Sequence, residues 1–325
     1  MPRVHIIATG GTIAMAQNEP ECGAVLALSG NDLMGKLVGQ PDLGLPAITS
    51  EEYGPLPSSH FTLEHLWGLR ERVVGSSREA GVDGIVVTHG TDTLEETAYL
   101  LDLTVPGDKP VVLTGAMRVA SEVGYEGIAN LIAAVRVAAC PEARGLGALV
   151  VMNEEIHAAR DVTKTHSQSL DTFKSLFWGP LGRVEATGIT IARRTERRVL
   201  GCAHLEPRVY LFKLAVGMDA ELLRQAVKLG ARGVVVESFG GGRVPPWWLE
   251  AIQEAIAQCV AVVIATRCPS GAVFDRYGFV GAYHDLARSG CLFAGGLNGP
   301  KARLRLMAVL GAARSPQEAL ELFAS

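Results

Sequence analysis

The six cysteines, Cys22, Cys140, Cys202, Cys259, Cys268 and Cys291, are scattered along the 325 residues and none forms a C-x-x-C pair. In a chain of this length that scatter argues against a disulfide framework and for free thiols in a reducing compartment. No H-E-x-x-H or clustered Cys/His spacing occurs, so no metal site is expected. No apolar stretch approaches the roughly 20 residues needed to span a bilayer, which removes a membrane role from the expectations. Neither charge sign dominates: 30 Lys and Arg face 34 Asp and Glu, for a net charge of −4, and nucleic acid is not an expected partner. The basic run Arg193-Arg194…Arg197-Arg198 is broken by Glu196 and reads as a solvated linker face. Met1-Pro2-Arg3 passes directly into apolar Val4, leaving no room for a signal peptide, so a cytoplasmic protein is expected. Both the dinucleotide fingerprint G-x-G-x-x-G and the P-loop G-x-x-x-x-G-K-[ST] are missing as well.

What is present is a high apolar content, 48%, arranged in short runs that alternate with helical patterns. Gly84 to Thr88, Leu94 to Leu103, Lys109 to Thr114, Gly127 to Ala139 and Gly147 to Met152 follow a βαβα rhythm, which predicts a doubly wound, mainly parallel sheet. Thr93, with Glu96 three residues on, has the pattern of a capping box. From Thr187 to Glu206 the text is rich in Arg, Thr and Glu without sustained periodicity. A second α/β rhythm then runs from Val209 to the end. The expected division is a catalytic α/β domain over 1–186, a linker over 187–206 and a smaller α/β domain over 207–325.

Chemistry concentrates where apolar runs give way to polar, glycine-punctuated turns. Val4 to Ala8 opens into Thr9-Gly10-Gly11-Thr12, and Gly84 to Thr88 opens into His89-Gly90-Thr91-Asp92-Thr93. In an open parallel sheet such turns line the ligand crevice. Glycines there let the backbone approach a small ligand, and two threonine hydroxyls with a carboxylate suit nucleophilic attack on a carbonyl. Lys164, between Thr163 and Thr165, is either a surface charge or, if buried beside a threonine and an aspartate, a group able to take a proton from a hydroxyl. His89, His157 and His166 fall near these motifs and are read as hydrogen-bonded supports.

The segments Ala8-Thr9-Gly10-Gly11-Thr12-Ile13-Ala14, Val87-Thr88-His89-Gly90-Thr91-Asp92-Thr93, Leu113-Thr114-Gly115-Ala116-Met117-Arg118 and Arg160-Asp161-Val162-Thr163-Lys164-Thr165 closely resemble the bacterial-type L-asparaginase (asparaginase/glutaminase) family. Weaker likeness continues through Arg267 to Ala272 and Leu297 to Arg303, so the resemblance spans nearly the whole chain. It implies a cofactor-free amidohydrolase converting L-asparagine to L-aspartate and ammonia. Carried over by position, Thr12 is the nucleophile, and Thr91 forms a second triad with Lys164 and Asp92. Asp92 holds the substrate's α-amino group and Ser58 its α-carboxylate, with Ser59, Gly11, Gly90 and Ala116 lining the pocket. The resemblance also implies a homodimer or homotetramer with sites between one subunit's N-terminal domain and its partner's C-terminal domain. Within the enzymes, the alternatives are a glutaminase-asparaginase and a tRNA-linked amidase; outside them, an amino-acid sensor that keeps the pocket without turnover.

The departures from the family pattern are specific. The mobile segment after the nucleophile usually carries a tyrosine, and residues 15 to 30 contain none, with Gly23 near the expected place. The partner-subunit glutamate that normally faces that tyrosine has no clear match between Ala272 and Ala282. Arg243 stands where many members have an asparagine, and Ser59 where many periplasmic members have glutamine. A threonine hydroxyl needs a group to accept its proton. Tyr277, in Phe274-Asp275-Arg276-Tyr277-Gly278, is therefore either the group that reaches Thr12 across a subunit interface or a tyrosine packed within that interface.

Overall fold

The computed structural model describes residues 1–18, 20, 23–38 and 44–324. These form two compact units, Met1–Val199 and Leu200–Ser325. The first unit runs β1 (Arg3–Ala8), β2 (Met15–Asn18), β3 (Gly23–Leu26), α1 (Gly30–Val38), β4 (Ala47–Glu52), α2 (Leu63–Arg78), β5 (Gly84–Thr88), α3 (Leu94–Thr104), β6 (Val111–Thr114), α4 (Gly127–Ala138) and β7 (Ala148–Met152). It closes with β8 (Glu155–Ala158), β9 (Thr163–Lys164), β10 (Phe173–Lys174), β11 (Gly182–Glu185) and β12 (Gly188–Ile191).

Eight of these strands form one sheet in the order β12-β11-β8-β7-β6-β5-β1-β4. β4, β1, β5, β6 and β7 pair in parallel, and the last three strands are antiparallel additions. Continuous apolar text makes the central strands β5, β6 and β7 buried on both faces, as a parallel sheet between helix layers requires. The faces alternate residue by residue. Val4 and Ile6, Val86, Val112, Leu149 and Val151 meet Leu131, Ala134 and Val135 of α4 on one side. Ile7, Ile85, Val87, Leu113 and Val150 meet Leu69 and Val73 of α2 and Ala98 and Leu101 of α3 on the other. Each fully buried leucine or isoleucine here contributes about 1.5–3 kcal/mol of transfer free energy.

The topology decides where a ligand can sit. From β1 the chain goes to β4 on one flank, then crosses to β5 on the other. The β1/β5 pair is thus a topological switch point, where the connections leave to opposite sides and open a crevice at the carboxyl ends.

The second unit runs β13 (Val209–Lys213), α5 (Glu221–Lys228), β14 (Gly233–Ser238), α6 (Pro246–Ala257), β15 (Ala261–Thr266), α7 (Tyr283–Arg288), β16 (Leu292–Phe293), α8 (Gly299–Ala312) and α9 (Pro316–Ala324). Its four strands lie in chain order, β13-β14-β15-β16, all parallel. Leu223, Trp248, Ile252 and Leu286 cover one face over Val234, Val236, Val262 and Ile264. Gly233 leaves the room that Leu306 of α8 occupies on the sheet, a Cβ there lying 2.7 Å from its Cδ2.

Two local expectations need correction. Thr93 does precede α3, but its side chain makes no capping bond; its Oγ1 donates instead to the Ser58 carbonyl at 3.0 Å. The long-range contact with Ser58, rather than the helix N-terminus, holds the side chain. The basic run is a solvated face only in part: Arg194 and Arg198 are exposed, whereas Arg193 and Arg197 are half-buried. Residues 188–191 are β12, paired with β11. Arg193 donates to the Gly179 carbonyl, Arg194 to the Glu142 carbonyl, and Arg197 to the carbonyls of Asp102, Val105 and Gly107. The Arg197 side chain is only 11% exposed, because its guanidinium satisfies the carbonyl-rich end of α3 and pairs with Asp102 at 3.1 Å. Among the described residues Cys140, Cys202, Cys259, Cys268 and Cys291 form no disulfide, and Cys22 lies outside those residues. No helix among the described residues is long and apolar enough to cross a membrane.

Candidate active site

Main-chain contacts between glycines build the crevice. Gly10 and Gly11 have φ of +86° and +83°, the left-handed half of the map, and turn the chain sharply at the end of β1. A Cβ on Gly11 would lie 2.4 Å from the Gly90 nitrogen, so the two turns touch backbone to backbone. A Cβ on Gly90 would lie 2.7 Å from Ser58 Oγ, and one on Gly115 2.5 Å from the His89 carbonyl oxygen and 3.5 Å from Thr91 Cγ2. Four segments are thereby pressed together: the turn that carries Thr12, the turn that carries Thr91 and Asp92, the 3-10 turn Ser58–His60, and Gly115-Ala116 beyond β6. Thr9 stitches β1 to β5 at the same level, its Oγ1 donating to the Thr88 carbonyl at 2.8 Å.

The polar groups then fall into place. Lys164 Nζ donates to Thr91 Oγ1 at 3.0 Å and to Asp92 Oδ1 at 2.8 Å. Thr91 is 6% exposed, whereas the Asp92 side chain is 67% exposed, so the chain of contacts runs from a buried hydroxyl through the ammonium to a carboxylate open to solvent. Asp92 also precedes the N-terminus of α3, whose positive end favours a carboxylate there. Lys164 is aimed by its own main chain: its N–H donates to Glu95 Oε2 at 2.7 Å, and β9 pairs with β10 through Phe173 and Lys174. Of the two choices left open for Lys164, the structure therefore gives a half-buried ammonium held between Thr91 and a solvent-open Asp92 rather than a free surface charge.

His89 is a fixed support. It is wholly buried, its Nδ1 donates to the Gly90 carbonyl at 2.8 Å, and Nε2 accepts from Thr97 Oγ1 at 3.0 Å. Burial pushes its pKa down to about 4, against the opposing bond to Gly90, so the imidazole stays neutral at neutral pH. His166 Nδ1 accepts from the N–H groups of Gln168 and Ser169 and shapes the loop after Lys164. No group of three or more His, Cys, Asp or Glu among the described residues is arranged to hold a metal ion.

Ser58 is buried against the Gly90 turn, Ala116 is fully buried, and Gly11 and Gly90 form the contact already described. Thr12, partly buried, heads a short 3-10 turn directly after Gly11. Ser59 is exposed on the turn beside Ser58. Tyr277 belongs to the second unit, 43% exposed, with the Arg243 guanidinium 4.3 Å from its ring centroid.

Comparison with known proteins gives this architecture its family. The N-terminal asparaginase domain matches residues 3–197, and the C-terminal glutaminase/asparaginase domain matches residues 208–323. The chain belongs to the asparaginase family. It is 36% identical to the L-asparaginase of Bacillus licheniformis over 95% of each chain. It is 37% identical to the "Probable L-asparaginase" of Deinococcus radiodurans over 99% of this chain and 97% of that one. It is also 32% identical to the glutaminase-asparaginase of Pseudomonas fluorescens biotype A over 99% of this chain and 90% of that one.

Three residues that support the crevice escaped the reading of the motifs. Glu95 holds the Lys164 main chain, and its place one turn after Asp92 in a T-D-T-L-E run is the only local hint. Asn130, 4% exposed, bridges the Gly115 carbonyl and the Asn153 N–H at 3.0 Å each; a lone amide in the apolar text of α4 was the available signal. The third, Tyr125, contacts the Thr12 turn from more than a hundred residues away, which no local pattern records.

Proposed function

We propose that this chain hydrolyses the side-chain amide of L-asparagine to L-aspartate and ammonia through a threonine ester. The observation that carries the reading is Lys164, set between Thr91 Oγ1 and Asp92 Oδ1 on a turn packed directly against the one that carries Thr12. Thr12 Oγ1 attacks the amide carbon, its proton leaves with the departing nitrogen as ammonia, and water cleaves the ester to release aspartate. Thr91, Lys164 and Asp92 relay the proton and orient the water. Threonine suits the nucleophile because its β-branch restricts χ1 and directs the hydroxyl. Asp92 binds the α-amino group and Ser58 the α-carboxylate, with Ser59 at the rim and Gly11, Gly90 and Ala116 lining the pocket. Backbone N–H groups at Thr91 and Ala116 face the oxygen on which charge develops, an arrangement that typically supplies a few kcal/mol of transition-state stabilisation.

The free thiols fit a reducing cytoplasm. A homodimer or homotetramer supplies the rest of each site, and Tyr277 is the hydroxyl a second copy offers to Thr12; its ring, exposed yet held against Arg243, supports that part of the reading. Clamping both α-substituents fixes the reach of the side-chain amide, so the extra methylene of glutamine misplaces the reacting carbon, at a cost on the order of a hundredfold in rate. The glutaminase-asparaginase relative makes the contrast worth measuring. Ammonia release from asparagine and glutamine, assayed side by side, should give the larger kcat/KM for asparagine. Comparable values would make the chain a glutaminase-asparaginase, and no release from either would make it a sensor.

A further inference from the structure

The turn that presents Thr12 is held from the far side by residues 117–126, a segment with no part in the mechanism above. Tyr125 Oη donates to the Ile13 carbonyl at 2.6 Å. The Ala120 N–H donates to the Met15 carbonyl at 2.7 Å, and the Gln17 N–H to Ser121 Oγ at 2.9 Å. Three successive grips therefore fall on the residue after Thr12 and on β2 beyond it. The remaining carbonyls of the turn are engaged as well: Thr12 accepts from the Met15 N–H, and Ala14 from the N–H groups of Ala27 and Leu28.

The clasp is itself rigid. Glu126 accepts the Met117 N–H, Glu122 accepts the Val119 N–H at 2.9 Å, and Arg118 donates to the Gly124 carbonyl at 3.0 Å. The Tyr125 ring lies across the α-carbon of Gly127, where a Cβ would sit 2.3 Å from the hydroxyl oxygen and 2.4 Å from Cζ. Only glycine at 127 lets the ring take that position. The ring packs on the α4 side of the core, with Lys36 Nζ 6.0 Å from its centroid.

We propose that Tyr125 is a positioning residue for Thr12, fixing the direction of the nucleophile by tying down the next carbonyl along the chain. The inference rests on Thr12 being the nucleophile. It gives the turn a tyrosine from outside residues 15 to 30, acting on main chain rather than on the threonine hydroxyl. Tyr125 is not a base in this arrangement, since its proton is committed to a carbonyl. Burial, with Glu126 adding to it, holds the phenol above its usual range, so it remains a donor across the working pH range.

Tyr125→Phe keeps the ring and removes the donor. Misplacement of an attacking group by about an ångström costs on the order of a hundredfold in rate. The expected result is a fall in kcat of tenfold to a hundredfold, on the order set by that misplacement, with KM nearly unchanged because Ser58 and Asp92 are untouched. The shape of the pH profile should stay the same, whereas loss of a base would delete one limb of it. Hydrogen exchange should quicken in residues 12–18 and not in 85–98, a readout that does not depend on turnover. Thr12→Ala is measured alongside. A dead Thr12→Ala with a Tyr125→Phe kcat within about twofold of the parent, less than 0.5 kcal/mol of barrier, overturns the role of Tyr125 and leaves the nucleophile standing. A Thr12→Ala variant that still turns over asparagine removes both.

Discussion

In the first unit the chain leaves β1 for β4 on one flank and returns to β5 on the other; in the second, β13 to β16 are laid down in chain order. Both sheets are parallel where they matter, and both send glycine-rich turns from their strand ends. The reversal at β1/β5 opens a crevice, where Gly11 meets the Gly90 main chain, Gly115 the His89 carbonyl and Gly90 the Ser58 hydroxyl. Without a reversal, the corresponding glycines of the second unit meet side chains. Gly241 faces the Phe274 ring, Gly242 faces Val273, and Gly240 lies beside the Arg243 guanidinium. The difference is chemical as well as geometric. Backbone pressed on backbone brings hydroxyls and a Lys–Asp pair within reach of one small molecule, whereas backbone packed with aromatic rings builds a surface.

Lysine substitutions separate the two regions most sharply. Lys164→Met should lower turnover of asparagine by about a thousandfold or more, because members of one catalytic unit fail together. Lys213→Met breaks the 3.5 Å pair with Glu237 in the second unit, where the ammonium side chain is 66% exposed, and should leave kcat within about twofold. Steady-state assays of the two variants would merge the regions again if they lost activity equally.

Glycine substitutions come next in size. Gly11→Ala forces a Cβ onto the Gly90 main chain at a φ of +83°, and the expected loss of kcat/KM is on the order of a hundredfold or more. Gly241→Ala meets the Phe274 ring at 2.2 Å, but that ring is 46% exposed and can swing aside. Its melting temperature should fall by only a few degrees, the shift that about 1 kcal/mol produces. A larger loss of activity at Gly241 than at Gly11 would reverse the assignment of the crevice.

The last expected effect bears on stability rather than turnover: acid loosening that begins in the first unit. Burial holds both His89 and His157 down at about 4 from the usual 6.5. Below pH 6.5 the unfolded chain binds protons that the folded one refuses, so the stabilisation is intact above 6.5 and drains away as pH falls towards 4. Each imidazole accounts for roughly 3 kcal/mol over that window. Peptide-level hydrogen exchange at pH 7 and pH 5 should show the first unit loosening ahead of the second. Parallel loosening of the two would assign the acid response elsewhere.

Strand ends and their threonines were legible in the amino-acid text because the signal is local: an apolar run, a glycine turn, a hydroxyl. Lys164 was only half legible. Its partners lie about seventy residues away, and burial beside Thr91 is a property of the packed sheet. Thr93 shows the opposite failure: the local pattern marks the start of α3, but the side chain is bonded to the Ser58 carbonyl and makes no cap. The arginines at 193 and 197 looked like part of a solvated run because composition says nothing of the carbonyls waiting at the end of α3 and in neighbouring loops. Tyr125 was invisible for the same reason: its ring position depends on Gly127, and its acceptor on a turn at the other end of the domain.

Peptide mass mapping of the enzyme, quenched in acid while it turns over asparagine, tests the central claim most directly. An aspartyl ester is expected on the peptide that carries Thr12, with Thr91 unmodified. An ester on Thr91, or on neither threonine, would contradict it.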